Sequence, residues 1–122
     1  MRSRFDSGTC YQQEGVVDIE IKPTIEIGGV EHVVLHGAEV DTYLAGHNLM
    51  GEWQKGQATV KIRSDLAPSQ TMETFLHEAF HGANEAYCGG NLTEDEVNGM
   101  AQGAAQLLRQ YGIQFVLVRK GY

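Results

Sequence analysis

The sequence predicts an α+β fold, a small and mainly antiparallel sheet packed against two helices, and three observations carry that expectation. Short runs at 16–35, 57–63 and 113–118 alternate apolar and polar residues, the period of a half-buried strand. Two longer stretches, 68–87 and 93–111, repeat apolar residues at three- and four-residue steps, the period of an amphipathic helix. At 122 residues, 42% of them apolar, the chain can bury a core of its own, and one domain suffices.

Residues 1–14 are polar and aperiodic, so they are expected to form an arm outside a domain spanning 15–122. From Val16 to Lys22 the chain alternates, stops at Pro23, resumes over 24–27 and turns at Gly28 and Gly29 into 30–35. Alternation on both sides of a glycine pair is the signature of a β-hairpin. The stretch 37–56 mixes signals, with Val40, Tyr43 and Leu44 as anchors and Gly46, Gly51 and Gly56 as breaks, and it receives no assignment. Residues 57–63 read as a strand closed by Ser64 and Asp65.

A helix follows at once, because Pro68 suits a first helical turn and Met72, Leu76, Ala79, Phe80, Ala83 and Tyr87 share a stripe before Gly89 and Gly90 end it. The second helix opens on a capping box, in which Thr93 and Glu96 satisfy each other's backbone N–H groups. Its inner stripe is Val97, Met100, Ala101, Ala104, Leu107, Leu108 and Tyr111, and Gly112 stops it before a last strand. Gly99 and Gly103 each cost a helix about 1 kcal/mol relative to alanine, which suggests close packing against a neighbour.

Sixteen acidic residues against nine basic ones give a formal charge of −7, which repels phosphate backbones and anionic lipid, so no nucleic-acid or membrane partner is expected. No apolar run approaches the roughly 20 residues of a membrane span, and the opening residues contain no apolar stretch of the kind a secretory signal needs. The expectation is a soluble, cytoplasmic chain. Cys10 and Cys88 make no disulfide framework and are read as free thiols.

The chemistry-bearing segment is His77-Glu78-Ala79-Phe80-His81. Two histidines four apart on a helix project from one face, a turn apart, and can reach one ion. Glu78 points about 100° round the helix, beside that ion and not bound to it. Neutral imidazoles with an open position suit zinc, and a free carboxylate next to it is placed to take a proton from a metal-activated water. A catalytic zinc usually has a third protein ligand, and the acids opening the next helix supply candidates. Glu94 lies on the stripe leading through Val97, Asn98 and Ala101, whereas Glu96 has the capping box to serve. Glu94 is therefore the first choice, Glu96 stays open, and Asp95 reads as an ordinary helix N-terminal acid.

Residues 60–66 followed by 74–82 resemble the zincins, and more narrowly the ImmA/IrrE-like metallopeptidases with their short phage-associated members. Those proteins carry a later helix with a Glu-x-x-Ala-Asn/Asp-x-Phe-Ala pattern whose first Glu binds metal, and Glu94, Val97, Asn98, Met100 and Ala101 follow it in order. Met100 stands where the family has an aromatic, and no Leu-Leu-Met-Pro ending follows Leu107 and Leu108. The resemblance covers about residues 57–108 and implies a zincin-like fold. It also implies that Asn98 supports His77 by a hydrogen bond.

The activity this implies is hydrolysis of peptide bonds in a peptide or protein substrate, with Zn2+ on His77, His81 and Glu94 and with Glu78 as general base. Tyr43, His47 and Tyr87 are candidates for a second oxyanion donor, but each is more often a packing or surface residue, and none is singled out. A strand at 57–63, if it lies at the sheet edge, would pair with an extended substrate. The rival reading is a zinc-bearing interaction module, of the kind a phage encodes, that binds a host protein without cutting it.

Overall fold

The computed structural model describes residues 15–118, so the expected arm and the Cys10 thiol lie outside the described residues. Within them the order is β1 (Val17–Glu20), β2 (Thr24–Ile27), β3 (Val30–Leu35), α1 (Ala38–Gly46), β4 (Gly51–Trp53), β5 (Thr59–Ile62), α2 (Pro68–Tyr87), α3 (Glu94–Gln110) and β6 (Ile113–Val116). The α+β class holds, with three helices where the sequence showed two. The sheet content is mixed and not mainly antiparallel.

β2 and β3 form the expected hairpin, with Ile27 opposite Val30 and both turn glycines at positive φ, 61° for Gly28 and 79° for Gly29. That backbone matches the strands' own twist. β3 then runs parallel to β5, because α1 and β4 intervene and return the chain in the same direction, and β4 pairs antiparallel with β5. The four-strand order is β2-β3-β5-β4, so β5 is interior and the edge beside it is β4. The expectation that 57–63 could offer a free edge is thereby corrected. β1 and β6 make a separate parallel pair joining the two ends of the described chain.

Two apolar clusters meet at α2. Ile21, Val34, Val60 and Ile62 form one against the sheet, and Met72, Leu76, Ala101 and Ala105 form the other between α2 and α3. Phe75 and Phe115 belong to both, edge to face with centroids 5.6 Å apart, an arrangement aromatic rings prefer. The helix carrying His77 and His81 is therefore held on two sides.

The helical period was legible, but its face was read slightly off. On α3 the buried residues are Val97, Ala101 and Ala105, while Met100, Leu107 and Tyr111 stand 56%, 59% and 80% exposed. Small alanines let α3 lie close to α2, and the larger side chains fall outside the contact. Tyr87, at the end of α2, is likewise exposed. Gly99 and Gly103 do not mark close packing, since a Cβ at either would meet nothing within 4 Å. No described helix is long and apolar enough to cross a membrane.

Candidate metal centre

α2 starts where the sequence indicated. Pro68 occupies its first turn, the Ala67 backbone N–H donates to Gln70 Oε1 at 3.1 Å, and Thr71 Oγ1 donates back to Ala67 O. Twenty uninterrupted helical residues then carry His77 and His81 on one face, with their Nε2 atoms 3.1 Å apart. After α2 the chain turns through Gly89 and Gly90 and enters α3 at the capping box. Thr93 N–H donates to Glu96 Oε1 at 2.8 Å, and Glu96 N–H donates to Thr93 Oγ1 at 3.1 Å. Glu96 is thus engaged in the cap, and Glu94 is the acid that faces the histidines.

Glu94 places one carboxylate oxygen 2.8 Å from His77 Nε2 and the other 2.9 Å from His81 Nε2. Among the described residues this trio is the one group of histidines and acids whose donor atoms could surround an ion. The separations of 2.8 to 3.1 Å approach the ~3.3 Å expected between ligands of a tetrahedral ion with bonds of about 2.0–2.1 Å. The donor set therefore fits a divalent cation. The two imidazoles are partly buried, with side chains 18% and 25% exposed, and Glu94 is 65% exposed, so one side of the centre is open to solvent.

His77 Nδ1–H donates to Asn98 Oδ1 at 3.2 Å, a tautomer assigned from this bond that leaves the Nε2 lone pair for metal. The support expected from Asn98 is present.

Glu78 is buried, only 8% exposed, and does not join the trio. Its pKa is pushed up to about 7, chiefly because burial penalises the charged carboxylate. His77 acts in the opposite direction, the neighbouring Glu94 and Glu52 charges add to the rise, and a hydrogen bond from the Trp53 backbone offsets part of it. β4 comes so close to α2 here that Gly51 has no room for a side chain. A Cβ would lie 2.5 Å from Thr74 Cγ2, 2.9 Å from Lys61 O and 3.2 Å from Glu78 Cγ.

No family model, curated protein or solved structure matches the chain.

The oxyanion candidates are committed elsewhere. Tyr43 OH donates to Glu52 Oε2 at 3.3 Å, His47 Nδ1 lies 2.8 Å from Tyr43 O, and Tyr87 is exposed; none of the three hydrogen-bonds to the trio. A wide cleft lined by Asp18, Glu20, His36, Ser64 and Gln114 includes no member of the trio either. Sequence reasoning missed several buried residues around the centre. His32, 5% exposed, donates from Nδ1 to Val30 O at 2.9 Å and accepts Trp53 Nε1–H at 3.1 Å. Its inward place in the alternation of β3, two before Val34, was the available signal. Asn84 and Gly51 had none, because a buried amide and a strand glycine declare themselves only through their neighbours.

Proposed function

We propose that the chain is a zinc-dependent peptidase of the zincin type, acting on peptide or protein substrates. The observation that carries this reading is a buried acid, Glu78, held unligated beside two imidazoles and a carboxylate whose donor atoms converge on one point. A structural site would more often be closed by four protein ligands, frequently cysteines, and here one side is open.

When bound, the zinc supplies Lewis acidity toward a water and a substrate carbonyl. Asn98 orients His77 and fixes its tautomer. Glu78 takes a proton from the attacking water and delivers it to the departing amine, a role suited to a carboxyl that stands beside the trio without joining it. Among the described residues β4 is the edge strand that adjoins Glu78, and its outer rim is the place for an extended substrate to pair by main-chain hydrogen bonds. This replaces β5, which is interior.

Glu78→Gln is expected to keep one zinc per chain and to lose about 100-fold or more in turnover. Cleavage of a peptide library, with and without chelator, is the measurement. A variant cutting at the parent's rate removes Glu78 from the reaction, and a parent that cuts nothing removes the peptidase reading. That second result would favour the alternative, a zinc-bearing interaction module. The exposed face of α3 with Met100, Leu107 and Tyr111 is the feature such a module would use.

A further inference from the structure

The third ligand comes from a different helix than the first two, so its position depends on whatever fixes the connection between α2 and α3. That connection is gripped by one residue. Asn84, one turn beyond His81 and 8% exposed, accepts Leu92 N–H on its side-chain Oδ1 at 3.1 Å and donates from Nδ2 to Leu92 O at 3.3 Å. Its main-chain oxygen also accepts the N–H groups of Cys88, at 2.9 Å, and Gly90, at 3.0 Å. The whole turn from 88 to 92 is thus tied to a point on the metal helix. Leu92 stands two residues before Glu94, with only the capping residue Thr93 between them.

We infer that Asn84 is a positioning residue for the metal centre, setting the affinity for zinc by holding Glu94 within reach of His77 and His81. The inference rests on the metal-centre reading above. Its physical basis is the two-point amide clamp. A side chain with one donor and one acceptor, both used on the same backbone residue, fixes that residue's distance and its rotation. The His77–Asn98 hydrogen bond and the shared apolar cluster hold α3 to α2 further along, and the Asn84 clamp fixes the chain just before the first turn, where Glu94 sits. Thr93 and Glu96 cap α3 internally but do not tie it to α2.

The test is a double-mutant cycle on zinc affinity, measured by competition with a chromophoric chelator at one pH for the parent, Asn84→Ala, Glu94→Gln and the double variant. Asn84→Ala is expected to weaken zinc by roughly 10-fold or more, the usual effect of losing a residue that supports a ligand. In the Glu94→Gln background the same change is expected to do almost nothing, because the ligand it positions is already impaired. Equal weakening in both backgrounds, or none in either, overturns the inference, since a purely structural defect acts regardless of Glu94. Should Asn84→Ala fail to fold, Asn84→Asp keeps the acceptor for Leu92 N–H and carries the same comparison with the same two outcomes. A parent chain that binds no zinc at micromolar concentration overturns the metal-centre reading and this inference with it. A parent that binds while the Asn84 variants are unchanged overturns this inference alone.

Discussion

Glu78, the proposed general base, also acts on stability. In the metal-free chain its carboxyl keeps a proton up to about pH 7, first because burial disfavours the charge and then because Glu94 and Glu52 are near. The unfolded chain releases that proton near the ordinary value of 4.5. Between those limits the folded state binds more protons, so stability is fully present below about pH 4.5 and is lost as pH rises toward 7. A shift of this size corresponds to about 3 kcal/mol. Glu78→Gln cannot ionise, so in chelator it is expected to outlast the parent in urea at pH 7.5, with the advantage shrinking toward pH 5. Parallel pH profiles for the two proteins would show that Glu78 does not bear this burden.

Among the elements, β4 packs closely beside Glu78 and was not visible in the sequence. Gly51→Ala is expected to destabilise the fold by about 2 kcal/mol, as inserting a methyl into a filled space does. The new methyl would press first on Thr74 Cγ2 of α2, then on Lys61 O and Glu78 Cγ. Zinc affinity should change little, because the ligands lie on α2 and α3, while turnover falls with the displacement of Glu78. A variant as stable as the parent in a thermal melt would mean that β4 stands further from α2. This strand was unreadable because Gly51-Glu52-Trp53 is too short to alternate, although its partner β5 was legible in the alternation of 57–63. The parallel pairing of β1 with β6 joins residues 96 apart, such as Asp18 and Gln114, which no local pattern encodes. His77, Glu78, His81 and Glu94 were legible for the opposite reason. Helical spacing sets the mutual geometry of the first three, and the capping box, by occupying Glu96, leaves Glu94 for the fourth place. Apolar spacing located α3 but not its buried face, because the alanines that pack and the larger residues that do not both follow the helical period.

At the scale of the molecule, the trio joins two helices that the core already joins. α2 and α3 share the Met72, Leu76, Ala101 and Ala105 cluster, and Phe75 and Phe115 tie that cluster to the sheet. The fold should therefore persist without metal, unlike small zinc modules whose core closes only around the ion. Zinc should nevertheless stabilise it, because the unfolded chain does not hold His77, His81 and Glu94 together. At a free concentration 100 times the dissociation constant, a ligand bound only by the native state adds about 2.7 kcal/mol. For a domain of this size that raises the melting temperature by about 10 °C. Differential scanning calorimetry with zinc and with chelator is the direct measurement. The parent should melt cooperatively in both conditions and higher with zinc, and Glu94→Gln should show a smaller rise. Identical melting temperatures in the two conditions would mean that the native state binds no zinc. A chelated chain without any cooperative transition would mean that the two apolar clusters do not suffice, and that the ion is part of the core.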